Sequence, residues 1–334
     1  MTDAETSRKI TVGELSEGQI LRGILDRLPP STAPVGPGDD AAVLAVPDGR
    51  VVATTDTLVH GPDFRLAWSS AHDLGFKAAA VNLADVAAMG ARPIALLVAL
   101  AMPDATPVSF VHGFAEGLAD ACAELAPDCA VEGGDLTVSD TLTIAVTALG
   151  SLDGRVPVRR SGARVGDGVY VIGELGPAAK GIELLFRRFT DADGTPVVVT
   201  PEARASLTAA DAHALSRQLA PRPPIADALR AADAGATAMM DISDGLALDA
   251  TRLADASDVT IAFDSAALGD DPALALGGGE DHGFLVTFPA ETAPLGRRVG
   301  TVEARGERSI TVDGSPWTGR TGWDPYRDWD AGRG

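Results

Sequence analysis

The alternation of short apolar runs with longer stretches of helical periodicity constrains the fold of this chain more than any other feature. Runs of strand length occupy 93–100 and 284–288, and 142–149 alternates threonine with apolar residues, as a half-buried strand does. Segments 71–89 and 107–125 instead repeat apolar residues at three- and four-residue spacing, which predicts helices. Strands that alternate with helices in this way predict an α/β fold.

Shorter segments complete the predicted pattern. Residues 41–46 and 51–55 are expected to form two strands joined by the turn Pro47-Asp48-Gly49, and 191–200 a surface excursion. Further strands are expected at 169–172, 236–240, 259–263 and 309–312, and further helices at 178–189, 225–234 and 246–256. A chain of 334 residues is long enough for two domains. We predict two α/β domains, residues 1–152 and 153–334, which meet at a turn- and arginine-rich stretch.

Composition excludes several classes of protein. The chain is 46% hydrophobic and 22% charged, which is typical of a folded globular protein rather than a disordered one. Its net charge of −20 argues against a general nucleic-acid binder, since phosphate backbones need basic patches. We expect no membrane helix, because no run reaches about 18 apolar residues, and no signal peptide at the polar N-terminus. Cys122 and Cys129 do not form a C-x-x-C pair and predict a reducing, cytoplasmic compartment.

Six short acidic motifs stand at the ends of predicted elements. They are Gly38-Asp39-Asp40, Thr54-Thr55-Asp56, Asn82-Leu83-Ala84-Asp85, Gly133-Gly134-Asp135, Asp241-Ile242-Ser243-Asp244-Gly245 and Gly277-Gly278-Gly279-Glu280-Asp281. A single Gly-Asp pair is most often a turn, but the joint occurrence of six motifs is specific. Carboxylate and hydroxyl oxygens suit Mg²⁺ rather than zinc, and Mg²⁺ commonly accompanies nucleotide phosphates. The motifs therefore predict Mg²⁺–nucleotide chemistry.

Asp85 differs from the other acidic residues because it lies within a predicted helix rather than in a turn. It shares the core-facing side of that helix with Leu74, Ala78 and Val81. An aspartate on such a face is rarely buried without a partner, so we expect Asp85 to bind a ligand or to form a charge pair.

The common nucleotide-binding motifs are missing from the sequence. None of the three lysines follows a P-loop pattern, no Gly-x-Gly-x-x-Gly opens a βαβ unit, and the protein-kinase motifs do not occur. Phosphates would therefore be bound through metal ions and the amides of glycine loops. The five histidines show no H-E-x-x-H spacing and are expected to be surface or structural residues: His60, His72, His112, His213 and His282.

Taken in order, these motifs resemble those of the thiamine-monophosphate kinase family, which belongs to the aminoimidazole-ribonucleotide synthetase superfamily. The resemblance includes the segment 77–91 and Arg160-Ser161-Gly162-Ala163, and it runs from about Gly38 to Asp281. It implies ATP- and Mg²⁺-dependent phosphorylation of thiamine monophosphate to thiamine diphosphate. It also implies a two-domain fold with the active site between the domains, and a homodimer in which N-terminal strands form a shared barrel.

The resemblance also implies roles for individual positions. It makes the metal-site candidates Asp40, Thr54, Thr55, Asp56, Asp85, Asp135, Asp241 and Asp244. It places Gly134, Asp135, Arg160 and Ser243 at ATP and Glu280 at the substrate. Asp85, Asp244 and Arg160 are the expected catalytic groups, with two or more Mg²⁺ ions held by the aspartates and with Arg160 adding fixed positive charge.

Two further positions bear on how the substrate is held. The family usually has a histidine immediately before the phenylalanine that follows the Thr-Asp-x-Leu-Val motif, whereas here Asp63 precedes Phe64 and a histidine stands at His60. Asp63 is therefore a substrate position at which this chain departs from the family. Trp323 is expected either to stack on a heteroaromatic ring or to close the edge of the C-terminal core.

Phosphoryl transfer depends on positioning and charge neutralisation more than on covalent catalysis. We therefore expect direct in-line attack by a phosphate oxygen of the acceptor, which is already ionised near neutral pH because its second pKa is about 6. Two alternatives stay open. One is another ATP-dependent enzyme of the superfamily that acts on a different phosphate or amide substrate, and the other is a non-catalytic nucleotide- or Mg²⁺-binding protein.

Overall fold

Two β-sheets with helices packed against them organise the chain. The computed structural model describes residues 9–37, 41–292, 295–324 and 328. The first sheet has four strands in the order β1-β4-β2-β3, in which β2 and β3 are parallel and the other pairs antiparallel. These strands are β1 Val51–Val59, β2 Arg92–Met102, β3 Ala130–Val138 and β4 Thr143–Ser151. The helices of this part are α1 Glu17–Leu25, α2 Ala71–Ala88 and α3 Val108–Leu125, and a short 3₁₀ helix, Val12–Glu14, precedes α1.

The second sheet has seven strands in the order β11-β10-β7-β9-β5-β8-β6, antiparallel except for the β10–β7 pair. They are β5 Gly168–Ile172, β6 Ala238–Ile242, β7 Val259–Phe263, β8 Gly283–Phe288, β9 Arg297–Ala304, β10 Ile310–Val312 and β11 Ser315–Pro316. Its helices are α4 Pro177–Arg188, α5 Pro201–Ala205, α6 Ala209–Leu219, α7 Ile225–Asp233, α8 Leu246–Ser257 and α9 Pro272–Gly277, with a 3₁₀ turn at Ser265–Ala267. The predicted α/β class is confirmed.

Helix α2 is the central helix of the first part, and its sequence explains its position. Ser70 caps its N-terminus, because the Ser70 hydroxyl accepts the N–H of Asp73 at 3.0 Å. Most of its residues are buried and many of them are alanine, so α2 packs against both the sheet and α3. Gly75 and Gly117 let the two helices touch: a Cβ on Gly117 would stand 2.1 Å from the carbonyl oxygen of His72.

One face of the first sheet is covered by α2 and α3, and the other is open in the single chain. The side chains of β1 alternate between these faces, as the two-residue period of a strand requires. Val51, Ala53, Thr55 and Thr57 point to the open face and are exposed, and so is Ala99 on β2. The covered face carries Thr54 and Asp56, which are therefore directed toward α2.

Several element predictions were wrong or incomplete. Residues 41–46 form no strand and make only an isolated bridge between Val43 and Val35, while β1 continues to Val59. The strand predicted at 236–240 is shifted to Ala238–Ile242, so that Asp241 lies inside it. Strand β3 was missed because it contains two glycines and an aspartate, and β9 because it begins with two arginines. Helices α1, α6 and α9 were also not predicted.

Two expectations from composition can be compared with the structure. Within the described residues, no helix is long and apolar enough to cross a membrane. Cys122 and Cys129 are both buried and unpaired, and burial together with the neighbouring Cys122 thiol raises the pKa of the Cys129 thiol.

We predict that Gly117→Ala lowers the free energy of unfolding by about 1–3 kcal/mol, because the added methyl forces α2 and α3 apart. Gly18→Ala is the matched control. A Cβ at Gly18 in exposed helix α1 meets nothing closer than 3.7 Å, so this change should raise stability by about 0.5–1 kcal/mol. Urea unfolding followed by circular dichroism measures both. Equal effects of the two substitutions would contradict the packing argument.

Candidate active site

The acidic motifs from the two parts of the chain meet where α2 contacts the end of β6. On the α2 side, Thr54 donates a hydrogen bond from its hydroxyl to Asp85 Oδ2 at 2.9 Å. The backbone N–H of Asp56 donates to Asn82 Oδ1 at 3.1 Å, and Asn82 is itself buried and held by the carbonyl of Ala78. These bonds fix β1 against α2, with the carboxylates of Asp56 and Asp85 facing the second sheet.

The second sheet supplies its acidic residues from the end of β6 and the loop that follows. Asp241 is buried at that end, and Asp244 lies two residues before α8. Two other segments are tied to this loop: the Glu280 N–H donates to the Ser243 carbonyl at 2.7 Å, and the Trp323 N–H donates to the Asp244 carbonyl at 2.9 Å. The loop that contains Ser243 and Asp244 therefore lies against the segments of Glu280 and Trp323, and Trp323 is half-buried there.

Four carboxylates, which we call the acidic cluster, act on one another across this junction: Asp56, Asp85, Asp241 and Asp244. Burial raises the pKa of Asp85 to about 7, and the carboxylates of Asp241 and Asp56 add to the rise. Burial also raises the pKa of Asp56, helped by Asp241, Asp244 and Glu280, although the nearby His282 opposes it. Because two β1–α2 residues respond to two β6–α8 residues, the cluster is a single electrostatic unit that favours a bound cation.

The carboxylate oxygens of the acidic cluster are suitable ligands for Mg²⁺. All the cluster ligands are oxygens, which Mg²⁺ prefers. Among the residues that the structure describes, no group of three acidic, cysteine or histidine side chains is arranged to hold a metal ion. This arrangement fits an ion that takes one or two carboxylates and completes its octahedron with water and phosphate oxygens, as Mg²⁺ usually does. Asp40 lies outside the described residues.

A buried carboxylate, Asp249, lies beneath the loop between β6 and α8. Its Oδ2 accepts the backbone N–H groups of Ser243, Asp244 and Gly245 at 3.1–3.2 Å. Burial raises the pKa of Asp249 to about 7, with Asp241 and Asp244 adding to the rise and Arg252 opposing it. These three amides are already occupied, so they are not the glycine-loop amides that would bind phosphate. Neither Asp249 nor Arg252 was singled out from the sequence, although they follow the Asp-Ile-Ser-Asp-Gly motif at helical spacing.

A lysine from α2 closes the other side of the junction. Lys77 is buried, pairs with the Glu280 carboxylate, and donates to the carbonyl of Gln218 at 3.3 Å. The carboxylate of Asp63 lies in the field of this pair. Burial raises the pKa of Asp63 and Glu280 adds to the rise, whereas a 2.7 Å hydrogen bond from the Val59 N–H and the charge of Lys77 lower it. Asp63 and Glu280, both predicted at the substrate, are thus neighbours.

His282 is not a surface residue, so of the two expected roles only the structural one stays open. It is buried, its Nδ1 lies 3.6 Å from Asp241 Oδ2, and neither ring nitrogen has a hydrogen-bond partner among the described residues. Burial alone would lower its pKa, but the carboxylates of Asp241 and Glu280 outweigh burial and raise it. Both Glu280 (φ +69°) and His282 (φ +51°) adopt the left-handed conformation that non-glycine residues seldom use. The three glycines that precede Glu280 were the only sequence signal that this segment has an unusual backbone conformation.

Three predicted site residues are not brought to the acidic cluster within one chain. Thr55 is on the open face of the first sheet, and its hydroxyl donates to the Val146 carbonyl at 3.0 Å. Asp135 and its neighbour Gly134 are on β3, at the opposite edge of the sheet from β1. The register aligns Asp135 with Ala99 of β2, Ala145 of β4 and Thr57 of β1, which places Asp135 on the open face. The side chains of Thr55 and Asp135 therefore do not join the cluster, because strand alternation turns them away.

Arg160 is also distant from the cluster. Its carbonyl accepts the hydroxyl of Ser257 at 2.8 Å, and Ser257 is the last residue of α8. Asp244 precedes the other end of this helix, which is about 18 Å long at 1.5 Å per residue. The carbonyl of Arg160 therefore lies near the end of α8 that is opposite to Asp244, and the catalytic role of Arg160 stays a prediction. Among the described residues, basic side chains near the cluster include the buried Lys77 and, beside Asp244, the half-exposed Arg252.

Comparisons with known proteins match this architecture. The family model described as AIR synthase related protein, N-terminal domain, matches residues 38–152. The chain is 37% identical to the thiamine-monophosphate kinase of Mycobacterium tuberculosis, over 96% of this chain and 94% of that protein. It is 39% identical to the thiamine-monophosphate kinase of Corynebacterium glutamicum, over 95% of each. It also resembles the structure of AaThiL complexed with AMPPCP and TMP, with a TM-score of 0.69, 31% identity, and coverage of 95% of this chain and 99% of that one.

The raised pKa of Asp85 predicts a pH-dependent effect of Asp85→Asn. The folded state holds the Asp85 proton up to about pH 7, whereas the unfolded state loses it near pH 4. Wild-type stability should therefore fall as pH rises through this window, and the asparagine variant should escape that loss. We expect the melting temperature of the variant to exceed that of the wild type at pH 8 in EDTA, with a gap that closes toward pH 4. A gap independent of pH would contradict the assignment.

Proposed function

Because this chain belongs to the thiamine-monophosphate kinase family, we propose that it transfers the γ-phosphoryl group of ATP to thiamine monophosphate in a Mg²⁺-dependent reaction that forms thiamine diphosphate. The observation that carries this proposal is the acidic cluster, in which carboxylates of Asp56 and Asp85 face those of Asp241 and Asp244. Burial, with the charges of Asp241 and Asp56, raises the pKa of Asp85 to about 7. Such a concentration of negative charge supports cation-assisted binding of polyphosphate. We also propose that the two sheets belong to two domains, 1–152 and 153–334, with this site between them.

We propose that the chemistry is direct in-line transfer. A phosphate oxygen of thiamine monophosphate attacks the γ-phosphorus of ATP, and ADP leaves. The acceptor oxygen needs no strong base, because its second pKa is about 6. Two or more Mg²⁺ ions, held by Asp56, Asp85, Asp241 and Asp244, would supply neutralisation of phosphate charge. The residues of the chain itself orient the ligands and keep the buried junction free of bulk water.

The acceptor end of the site is assigned to the Lys77–Glu280 side. Lys77 provides a buried positive charge there, and the carboxylates of Glu280 and Asp63 lie within its electrostatic reach. Trp323 is joined to the carbonyl of Asp244 and stays a predicted substrate contact. The hydroxyl of Ser243 is kept as an ATP contact, since the hydrogen bonds given for this residue are made by its backbone N–H and its carbonyl. Contacts of ATP with Gly134, Asp135 and Arg160 stay predictions, and within one chain they can concern only parts of the nucleotide distant from the acidic cluster.

We propose a homodimer in which a second copy covers the open face of the first sheet. That face exposes Val51, Ala53 and Thr57, a small and weakly polar surface that monomers seldom leave uncovered over a whole sheet. The same packing would build the shared barrel. It would also bring Thr55 and Asp135, which point away from the cluster of their own chain, into an interface between copies. The two unpaired cysteines support a reducing, cytoplasmic setting.

Asp63, which stands where the family usually has a histidine, is the residue that raises a second candidate function, phosphorylation of a different acceptor. Its carboxylate, close to Glu280, makes this wall of the site more acidic than a histidine would. An acceptor with a positively charged ring suits such a wall, and thiamine monophosphate carries one, so the first function is preferred. A non-catalytic nucleotide-binding protein is the remaining alternative.

The decisive assay is incubation of the purified chain with ATP, Mg²⁺ and thiamine monophosphate, with thiamine diphosphate followed by chromatography. We expect product that EDTA abolishes. Asp85→Asn and Asp244→Asn should each lower turnover at least about 100-fold, because they remove cation ligands. Asp255→Asn, an exposed aspartate on α8 that pairs with Arg305, is the control and should change turnover by no more than about twofold. Metal-dependent ATP binding without product on any phosphate acceptor would favour the non-catalytic alternative.

The proposed dimer is tested by Thr57→Arg on the open face. The wild type should sediment at twice the 34.1 kDa mass of the chain, and the added charge should shift it toward monomer because an arginine cannot be buried there without a partner. Sedimentation velocity measures the change. A wild type that sediments as a monomer at all concentrations would refute the shared barrel.

A further inference from the structure

We propose that Asp249 and Arg252 are positioning residues that aim the carboxylate of Asp244 at the cation. This inference rests on the proposed function, because it concerns Asp244 as a ligand of Mg²⁺. It adds two residues that were not among the predicted ligands and that need not touch substrate themselves. Their action would pass through the β6–α8 loop and through the Asp244 side chain.

Asp249 fixes the backbone of the loop. One oxygen, Oδ2, accepts three consecutive N–H groups, from Ser243 at 3.2 Å, Asp244 at 3.1 Å and Gly245 at 3.2 Å. The side chain is completely buried, so water does not compete for these bonds. Gly245 has a φ of +129°, and a side chain there would be strained. The hydrogen bonds to Asp249 and the conformation at Gly245 together restrict the backbone at Asp244.

Arg252 fixes the side chain of Asp244. A single guanidinium nitrogen, Nη1, donates to Asp249 Oδ1 at 2.7 Å and to Asp244 Oδ2 at 2.5 Å. Among the described residues, the other Asp244 oxygen has no hydrogen-bond partner. The bridge therefore holds one oxygen of Asp244 and leaves the second without a hydrogen bond among the described residues, on a carboxylate whose charge acts on Asp56.

Loop capping alone does not account for a charged residue at position 249. An asparagine could accept the same three N–H groups through its carbonyl oxygen without placing another negative charge beside Asp241 and Asp244. What asparagine cannot do is accept from Arg252 with the second atom of its side chain, since that atom is an NH₂ donor. The feature that requires a carboxylate is the bridge to Arg252, and through it the direction of Asp244.

The test measures Mn²⁺ binding by electron paramagnetic resonance on the full chain in the presence of AMPPCP. Asp249→Asn keeps the loop bonds and removes the bridge, and Arg252→Lys keeps the charge and loses the guanidinium geometry. Each should weaken Mn²⁺ binding about tenfold and lower kcat more than it raises the KM for ATP. The matched controls are Asp255→Asn and Arg305→Lys, which alter an exposed ion pair involving the same helix, and both should bind Mn²⁺ as the wild type does.

The outcomes separate this inference from the proposed function. Mn²⁺ binding unchanged in both variants, with melting temperatures near that of the wild type, would overturn the positioning role. Tighter Mn²⁺ binding by Arg252→Gln would also overturn it, because Arg252 would then compete with the cation for Asp244 instead of orienting its carboxylate. If the wild type makes no thiamine diphosphate, the proposed function fails, while the comparison of Mn²⁺ affinities still decides the role of Asp249 and Arg252. If Asp249→Asn does not fold, Arg252→Lys alone gives the answer.

Discussion

The mutual repulsion of buried carboxylates at the junction of α2 with β6 is the constraint on which the site depends. Asp85 comes from helix α2 and Asp241 from strand β6 of the second sheet, and the burial of their carboxylates gives the folded chain an electrostatic cost there. A structure built for stability alone would place apolar residues at this junction. The retained charge is consistent with a site whose carboxylates are meant to be neutralised by cations that arrive with the phosphates of a ligand.

Besides the ion pair between Arg252 and Asp244, several surrounding hydrogen bonds hold these charges in place without neutralising them. Asn82 and Thr54 anchor the β1–α2 side, and Asp249 anchors the loop before α8. Asp281, between Glu280 and His282, turns the other way and caps α4, where its Oδ1 accepts the Ala178 N–H at 2.8 Å. Burial raises the pKa of Asp281 to about 6, and hydrogen bonds from the N–H groups of Ala178 and of Gly176, the residue before α4, counteract part of that rise. One short segment thus directs two side chains into the site and one into the scaffold.

Lys77 and Glu280 form the principal ionic link across the junction. Lys77 is buried in α2 and Glu280 belongs to the loop before β8, so the pair joins elements that are 203 residues apart in sequence. A buried lysine is costly unless it is paired. The pairing therefore couples the position of α2 to the glycine-rich loop, and through the Glu280 N–H it also couples α2 to Ser243. A ligand that binds at α2 would therefore affect the position of the glycine-rich loop, and a ligand that binds at the loop would affect the position of α2.

The fold was largely predictable because its strongest signals are local. Helices α2 and α3 and strands β2, β4, β7 and β8 follow periodicities that the sequence displays directly. Strand β3 escaped prediction because Gly133, Gly134 and Asp135 have low strand propensity, and pairing with β2 overrides that preference. The segment 41–46 failed in the opposite sense: it has the composition of a strand, but apart from the Val35–Val43 bridge it finds no partner.

The sequence by itself determined the α/β class, the family resemblance and the oxygen-rich chemistry, since these depend on residue type, spacing and order. Only the tertiary structure decided which of the predicted residues act together. It joined Asp56 and Asp85 to Asp241 and Asp244, turned Thr55 and Asp135 to the opposite face, and placed Arg160 at the far end of α8. It also brought in Lys77, Asp249, Arg252 and His282, whose sequence positions gave little sign of a role. The physical reason is that strand alternation, helix length and chain crossing set where a side chain points, and these are properties of the packed chain rather than of any motif.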